Sequence, residues 1–492
     1  MTKSVTVHRL LREANPVADP TTAHHDERAA DELYSAILAR TSGRTSRTDP
    51  IRLPKPQWYR RPAMLSLVGA AAMIILIVPV VLLLRPSEPA PDETPVATIS
   101  PETTVTSTTT TTTSLTSTTT IATFPDQVGP WGGTKLEASD PQLYDGRWGD
   151  AFGASVAVDG EILVVGAPSR VEAGEWVGLV YVLEPDGEGG WSETILRASD
   201  GSGGGQFGMA VAVDGQRIVV GRPYLGSTAY VYDRSPGGEW VETRLRGSYG
   251  LFGSSVAVDG NRVVIGAGGD DGNTGAVYVF DQDESGAWVE TKLTASDGAP
   301  GDFLGHPSAF GYAGGIPVSV DGDRIVAGSY TANGESAVYL FELDGEGGWT
   351  ETKLASFGYG AAVDGDRIVI GNEAQVHVFE PDGTGGWAEQ IVDLPQPGEQ
   401  LSAGGGRIVV AVRPNVAPPS YGSGPVYILE PDDSGGWSQT RIQAPADYAA
   451  ALPGTLPSIS FSVSTDGTRV LIGDWAHDSS IGITYVYEPL RD

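Results

Sequence analysis

The chain has 492 residues, no cysteine and a formal net charge of −31. A chain without cysteine has no disulfide framework, no thiolate metal site and no cysteine nucleophile. Of its 31 Lys and Arg residues, 11 lie in residues 1–62, whereas only 7 of its 62 Asp and Glu residues lie there. The remaining chain is therefore strongly acidic, which argues against nucleic acid as its partner.

Residues 1–62 are predicted to form a short cytoplasmic segment with one amphipathic helix. Ala29, Leu33 and Ile37 recur at four-residue spacing within residues 26–40, which places them on one face of a helix. Two interpretations stay open for this segment. It is either a partly ordered tail with a transient helix or a docking helix for a cytoplasmic partner.

Residues 63–84 contain no charged side chain. At 1.5 Å per residue such a stretch crosses a hydrocarbon core about 30 Å thick, and it begins too far along the chain for a secretory signal peptide. Basic residues are frequent before this stretch, whereas only Arg85 and Lys135 follow it closely. We therefore predict an uncleaved, single-pass signal-anchor in the cell membrane, with a cytoplasmic N-terminus and an extracellular C-terminal part.

Residues 85–128 are rich in Pro, Thr and Ser, and nearly every residue from 103 to 120 is Thr or Ser. Such a composition cannot bury a core and is typical of an extended, glycosylated stalk. A plain flexible linker is the alternative interpretation.

A four-part unit repeats through residues 129–492. In its first copy, Ser155–Gly160 reads as a strand ending in Asp-Gly, Ile162–Val165 as a second strand, Leu179–Leu183 as an alternating third strand, and Trp191–Leu196 as a fourth strand. Asp-Gly pairs suit two-residue hairpins whose central residues both adopt positive φ, so we assign them a structural role.

The third strand recurs seven times, but the Trp that opens the fourth strand follows it only six times. The third strands are centred on Tyr181, Tyr230, Tyr278, Tyr339, His377, Tyr427 and Tyr485. The missing fourth strand lies at the front, because Trp131–Asp140 matches Trp288–Asp297. An N-terminal strand that completes the last unit would close a ring and protect its edges. The sequence thus predicts an all-β fold, a seven-bladed β-propeller with that closure.

Phe152-Gly153 followed by Gly166-Ala167-Pro168 resembles the FG-GAP repeat of integrin α-chain propellers and of bacterial surface proteins. Partial copies occur at Phe207-Gly208, Phe252-Gly253 and Phe357-Gly358. The resemblance implies a surface propeller that acts in adhesion or recognition.

Calcium is the cofactor that this resemblance suggests. Integrin-type repeats bind it in an insertion between the first two strands, and that connection is a tight Asp-Gly turn here, so those sites do not transfer. Asp270, Asp271 and Asn273 lie in a loop similar to the acidic loop of bacterial members, and its oxygen-rich side chains suit calcium. A solvated turn is the alternative.

The connections between strands two and three, and between successive units, vary in length, whereas the other turns are short and uniform. Variable connections on one face of a repeat array mark its binding face. Aromatic and His side chains in them are predicted to bind an extracellular protein or glycan, or alternatively to fill the central channel. These residues are Trp148, Trp176, Tyr224, His306, Tyr312, Tyr330, Tyr421, Trp475 and His477.

No nucleophile and base can be paired from the sequence, so we expect the protein not to be an enzyme. The function predicted is ligand binding by a membrane-anchored extracellular propeller. One alternative is a transmembrane sensor that signals through residues 1–62. Another is a glycan-active enzyme, which would need two carboxylates about 5 to 9.5 Å apart.

Overall fold

The computed structural model describes residues 102–104, 113–115, 131–144, 148–201, 204–224, 226–247, 250–306, 318–330, 336–356, 358, 360–412, 425–442, 461–475 and 481–489. The predicted cytoplasmic segment (1–62), the predicted span (63–84) and most of the predicted stalk (85–128) lie outside these residues. Within them, no helix is long and apolar enough to cross a bilayer.

Seven antiparallel sheets form the blades of a propeller, five of them with four strands and two with a fifth strand at the rim. Five strands precede blade 1: β1 (Glu102–Thr104), β2 (Thr113–Leu115), β3 (Trp131–Leu136), β4 (Leu143–Tyr144) and β5 (Trp148–Gly149). Blade 1 contains β6 (Ser155–Asp159), β7 (Ile162–Ala167), β10 (Leu179–Pro185) and β11 (Trp191–Leu196), and the hairpin β8 (Val171–Glu172) and β9 (Glu175–Trp176) is inserted after its second strand. Blade 2 contains β12 (Ala210–Asp214), β13 (Arg217–Arg222), β14 (Thr228–Arg234) and β15 (Trp240–Arg246).

The other blades repeat this order. Blade 3 contains β16 (Phe252–Asp259), β17 (Arg262–Ala267), a single helical turn α1 (Asp270–Asn273), β18 (Ala276–Gln282) and β19 (Trp288–Leu293). Blade 4 contains β20 (Val318–Asp321), β21 (Arg324–Tyr330), β22 (Ser336–Leu343) and β23 (Trp349–Ala355). Blade 5 contains β24 (Gly360–Asp364), β25 (Arg367–Asn372), β26 (Gln375–Pro381) and β27 (Trp387–Asp393). Blade 6 contains β28 (Gly398–Gly404), β29 (Arg407–Val412), β30 (Val426–Pro431) and β31 (Trp437–Ile442). Blade 7 contains β32 (Phe461–Thr465), β33 (Val470–Asp474) and β34 (Ile483–Pro489).

The predicted ring closure is confirmed. Strand β3 is the outermost strand of blade 7 and pairs antiparallel with β34, so that Trp131 lies opposite Pro489 and Leu136 opposite Thr484. At the rim, β1 pairs with β15 and β2 with β11, which gives blades 2 and 1 a fifth strand.

The apolar core lies between neighbouring blades. In β7, Leu163 and Val165 pack in the cluster shared with blade 7, whereas Val164 packs in the cluster shared with blade 2. A strand covered on both faces needs apolar side chains at every position. This explains why the second strands read as continuous runs such as Ile162–Ala167, which is buried throughout.

The Asp-Gly prediction was wrong in one detail. Asp159 pairs with Ile162 in the sheet register, so the two loop residues are Gly160 and Glu161. Gly160 has φ 54°, whereas neither Asp159 nor Glu161 has a positive φ. A glycine with positive φ at the first loop position is what a type II′ hairpin requires. The Asp is the last strand residue, which leaves its carboxylate available for other bonds.

Candidate functional site

The propeller has two distinct faces. We call the side formed by the turns between strands one and two and between strands three and four the turn face. The opposite side, formed by the connections between strands two and three and between blades, is called the loop face.

On the turn face, the Asp of the Asp-Gly pair bonds to the next blade. In blade 1 the carboxylate of Asp159 accepts a hydrogen bond from the backbone N–H of Gly215 in blade 2 at 2.6 Å. Counting this one, the bond is present at six of the seven junctions in the described ring. The other acceptors and donors are Asp214 and Gly260, Asp259 and Gly322, Asp321 and Gly365, Asp364 and Gly406, and Asp466 and Gly160. Gly404 replaces the Asp at the junction of blades 6 and 7, where a Cβ would overlap the carbonyl oxygen of Thr465.

An Arg three residues after the Asp strengthens most of these junctions. Arg262 donates to Asp281 at 2.7 Å and to the carbonyl oxygen of Gly322 in blade 4 at 2.5 Å, and its guanidinium lies 5.0 Å from the ring centre of Trp349 in that blade. Equivalent stacks join Arg217 to Trp288, Arg324 to Trp387, Arg367 to Trp437 and Arg407 to Trp131. The Asp-Gly-x-Arg spacing was visible in the sequence, but the role of the Arg was missed.

The Phe-Gly pair is a packing device between blades. The buried ring of Phe152 meets Tyr181 of its own blade edge-on at 5.1 Å. Gly153 has φ 89°, and its carbonyl oxygen accepts the Ser462 hydroxyl of blade 7 at 2.8 Å. A Cβ on Gly473 would overlap that carbonyl. The glycines of the motif therefore allow two backbones to touch.

Blade 4 has an equivalent pair that sequence reasoning missed, Leu304-Gly305. Leu304 is buried, Gly305 has φ 77°, and its carbonyl oxygen accepts the Ser255 hydroxyl at 2.8 Å. Residues 307–317, outside the described part, separate this pair from β20, and that spacing hid it.

On the loop face, the tyrosine of the third strand donates its hydroxyl to a carboxylate that is also paired with a basic side chain. Tyr181 donates to Asp140 at 2.9 Å, and Asp140 pairs with Arg170 at 2.6 Å. The same arrangement joins Tyr230, Asp200 and Arg222, then Tyr278, Asp270 and Lys292, and then Tyr339, Asp297 and Lys353. The negative charge of these loop-face carboxylates is thus compensated locally.

Arg170 organises the loop face of blade 1. Its side chain is 3% exposed and binds Asp140 and also Asp150, the latter at 2.8 Å. Burial opposes the charge on Arg170, but bonds and charges from these carboxylates raise its pKa. Burial raises the pKa of Asp150, against the opposing effect of Arg170. The Arg170 guanidinium therefore joins two segments. One is the connection from blade 7 to blade 1, which contains Asp140 and Asp150, and the other is the start of the β8–β9 hairpin.

Two of the predicted aromatic residues bond through their backbones to the same two-residue segment, Gly204-Gly205. The carbonyl oxygen of Trp176 accepts the N–H of Gly204 at 2.6 Å, and the N–H of Tyr224 donates to the carbonyl oxygen of Gly205 at 3.4 Å. The hairpin is also held by the Glu172–Arg197 ion pair, at 2.6 Å, whose side chains are 39% and 49% exposed. We call Trp176, Tyr224, Glu172 and Arg197 the blade 1–2 platform.

The other predicted binding residues are dispersed. His306 packs over Gly268, and its ring lies 6.2 Å from that of Phe303. The N–H of Tyr330 donates to the carbonyl oxygen of Asp302. Trp475 is 8% exposed and packs with Ala151 and Ala154, which favours a packing role. Trp148 is placed by its backbone in β5, and Tyr312, Tyr421 and His477 lie outside the described residues.

A basic side chain from β19 binds the carboxylates of the predicted calcium loop. The Lys292 ammonium lies 2.9 Å from Asp270 and 2.7 Å from Asp271, and these bonds raise the pKa of Lys292 against the opposing effect of burial. The carbonyl oxygen of Asn273 accepts the N–H groups of Gly301 and Phe303. In the described part of the chain, no three His, Cys, Asp or Glu side chains cluster as metal ligands would. Calcium at Asp270, Asp271 and Asn273 stays a prediction.

The FG-GAP repeat model matches residues 134–183, 191–232 and 247–280. The chain therefore carries FG-GAP repeats within a seven-bladed β-propeller. The matched residues run from β3 through the third strand of blade 3, where the Phe-Gly pairs are intact.

More distant likenesses occur among solved structures. "Structure of YjhT" has a TM-score of 0.37 and 12% identity, covering 62% of this chain and 98% of that one. The Saccharomyces cerevisiae Sqt1 structure has a TM-score of 0.39 and 11% identity, covering 71% and 99%. The Kluyveromyces lactis Hsv2 structure has a TM-score of 0.39 and 8% identity, covering 69% and 99%. No curated protein matches the sequence.

Proposed function

We propose that this FG-GAP propeller is a membrane-anchored surface protein that binds an extracellular protein or glycan through its loop face. The observation that carries the proposal is the contrast between the faces. The turn face repeats one set of structural bonds around the ring, whereas the loop face differs from blade to blade. Binding residues of repeat proteins concentrate on the variable side.

The blade 1–2 platform is the best-supported contact region on this face. Trp176 and Tyr224 bond through their backbones to the Gly204-Gly205 segment, and the half-exposed Glu172–Arg197 pair adds an acceptor and a donor to the same hairpin as Trp176. Aromatic side chains beside fixed polar groups are the composition of binding hot spots. Because Arg170 directly precedes this hairpin and is bonded to Asp150, the hairpin is held in place before a ligand arrives.

The proposal includes no catalytic activity. The four tyrosine-bound carboxylates of the loop face form ion pairs with Arg170, Arg222, Lys292 and Lys353. A general acid or base needs a carboxylate that is free to exchange a proton with substrate. Binding is therefore the function that this arrangement fits.

The test is binding of the full chain, in detergent, to glycan and surface-protein panels. We expect Trp176→Ala and Tyr224→Ala to weaken binding by about tenfold or more each, the loss typical of an interface hot spot. Ile391→Ala, at a 51% exposed rim residue, is the matched control and should bind as wild type does. Absence of any ligand, or equal binding by all variants, would contradict the proposal. In the first case, capture of a specific protein by residues 1–62 would favour the sensor instead.

A further inference from the structure

The outer edges of blades 1 and 2 are each covered by a short strand from the segment that precedes the ring. Strand β1 pairs antiparallel with β15 of blade 2, and β2 pairs antiparallel with β11 of blade 1. Because β3 then completes blade 7, the chain passes the rims in the order blade 2, blade 1, blade 7, which is the reverse of their order in the ring. We call β1 and β2 together the rim strap.

The two strands of the rim strap meet their blades at the same position of the repeat. Thr104 of β1 lies opposite Glu242, and Thr113 of β2 lies opposite Glu193. Glu242 and Glu193 are the third residues of their strands, and each is 1% exposed. The same pairing is therefore made twice, on two blades, by different parts of the preceding segment.

The composition of this segment suits strand pairing from Pro101 onward. Residues 102–124 contain neither Pro nor Gly, and Glu102 is their one charged residue, whereas residues 86–101 contain five prolines. Proline cannot donate an N–H group to a neighbouring strand, and Thr favours the extended backbone of a strand. The change in composition at Pro101 therefore marks where the chain becomes able to pair with a sheet edge.

The two covered strands are also more shielded than the fourth strands of blades 3 to 6. No residue of β11 and only Arg246 of β15 is exposed, whereas β19, β23, β27 and β31 each have at least two exposed residues. In the part of the chain that the structure describes, those four strands have no fifth strand beside them. An uncovered edge presents a row of backbone N–H and C=O groups that can pair with another chain. The rim strap covers that row on two blades.

We propose that the outer edges of blades 1 and 2 are a strand-addition site for an extended Thr/Ser-rich peptide, and that the rim strap of the same chain occupies this site. Binding is by main-chain hydrogen bonds, as in other cases of strand addition to a sheet edge. Nearly every residue from 103 to 120 is Thr or Ser, so a shift along the segment presents the same side chains and the register is weakly specified.

The site therefore selects an extended, proline-free backbone rather than one particular sequence. It lies on the rim, apart from the blade 1–2 platform on the loop face, and it depends neither on the proposed ligand nor on the proposed membrane anchor. The two proposals can consequently fail independently of each other.

Hydrogen exchange in the full chain, in detergent, tests the proposal. In one variant a Pro-Pro-Ser repeat of the same length replaces residues 102–115. Alternate N–H groups of an edge strand face its neighbour, so adjacent prolines remove an inward donor in either phase. In the matched control the residues of 102–115 are shuffled, which keeps their composition and their backbone donors. Strand β27, which has no fifth strand beside it in the described residues, is the internal reference.

We expect amides of β11 and β15 to exchange about tenfold faster or more in the Pro-Pro-Ser variant than in the native chain, because their outward N–H groups lose their partners. The shuffled chain should exchange as the native chain does, and β27 should be the same in all three. Unchanged exchange of β11 and β15 in the Pro-Pro-Ser variant would overturn the proposal. Faster exchange in the shuffled chain would overturn pairing through the backbone alone, and this result is decisive even if the Pro-Pro-Ser variant unfolds.

A separate peptide tests whether the edge accepts a strand that is not part of the same chain. A fluorescent peptide of residues 102–115 should bind the Pro-Pro-Ser variant saturably and the native chain about tenfold more weakly or less, because a tethered segment competes at an effective concentration in the millimolar range, on the order of 1 mM. A peptide in which adjacent prolines replace Thr113 and Ser114 should bind more weakly than the unaltered one. Equal binding to both proteins would show that the rim strap does not occupy the site, and no saturable binding to the variant would overturn addition of a separate strand.

Discussion

The turn face and the loop face are built from the same strands but by different rules. On the turn face, one set of residues makes one set of bonds at nearly every junction, and the spacing Asp-Gly-x-Arg specifies it. On the loop face, the tyrosine–carboxylate–cation clusters share a geometry but draw their carboxylates from different places, Asp140 from a connection between blades and Asp270 from α1. The comparison indicates that the turn face maintains the ring, which leaves the loop face free to vary.

Ring closure should produce the largest effect. Deleting residues 131–136 removes the buried side chains of Trp131 and Leu136 and leaves β34 with an open edge. We expect the free energy of unfolding to fall by on the order of 5 kcal/mol or more, which is comparable with the whole stability of a typical domain. Near-UV circular dichroism and thermal unfolding measure it, and deletion of residues 1–62 is the control. A cooperative melt at the wild-type temperature would show that β3 is dispensable.

The close contact between blades should be the next most sensitive feature. A Cβ on Gly266 would overlap the carbonyl oxygen of Gly305 and the hydroxyl of Ser255. We expect Gly266→Ala to lower the free energy of unfolding by about 1 to 3 kcal/mol, the usual range for overpacking. At Gly237 the nearest atom to a Cβ is the Ser235 hydroxyl at 3.6 Å. Gly237→Ala should therefore change the free energy of unfolding by less than about 0.5 kcal/mol. Equal effects in urea unfolding would contradict the role of Gly266.

Lys292 tests the loop face and the calcium prediction together. Lys292→Met leaves the carboxylate of Asp270, which is 8% exposed, without its ammonium partner. We expect the free energy of unfolding to fall by about 1 to 3 kcal/mol, a moderate amount because the pair is only partly buried. Lys353→Met is the control, since its partner Asp297 is 51% exposed, and it should cost less. If the Asp270 loop binds calcium, millimolar calcium should raise the melting temperature of Lys292→Met more than that of the wild type. A melting temperature unchanged by calcium in both proteins would reject the calcium site.

The Arg–Trp stacks of the turn face should contribute less individually. Arg262→Ala removes a stack on Trp349 and three hydrogen bonds, so we expect the free energy of unfolding to fall by about 1 to 2 kcal/mol. Arg197→Ala, which removes a half-exposed loop-face pair, should cost no more than about 0.5 kcal/mol. The reverse order in equilibrium unfolding would mean that the turn-face bonds do not stabilise the ring.

The smallest effect concerns pH. Glu193 is 1% exposed and accepts the N–H and hydroxyl of Ser139, and burial raises its pKa above 4.5. The folded state then holds this proton more tightly than the unfolded state does, so the contribution of Glu193 to stability falls as pH rises from about 4.5 through the folded pKa. Glu193→Gln should gain stability relative to wild type across that interval. Urea unfolding from about pH 4 to pH 8 measures the difference, and a constant difference would contradict the prediction.

The sequence predicted the ring well because its determinants repeat. The Trp that opens each fourth strand, the alternating third strand and the Asp-Gly turn recur at similar spacing, so Trp131 could be matched to the unit lacking its fourth strand. The loop face was less predictable, since its bonds join residues far apart in the chain. The pairing of Lys292 with Asp270 and Asp271 depends on strand register, which residue type alone does not specify. Leu304-Gly305 was hidden because Leu replaces Phe before a long insertion.

The closure by β3 also has a consequence for protein engineering. Trp131 and Pro489 are cross-strand neighbours, so a short linker could join the two ends of the ring without crossing either face. New termini could then be opened at another exposed turn, such as Gly160–Glu161, as circular permutation requires. A permuted chain of this kind would carry all four strands of blade 7 in sequence and would move the point of attachment to a chosen blade.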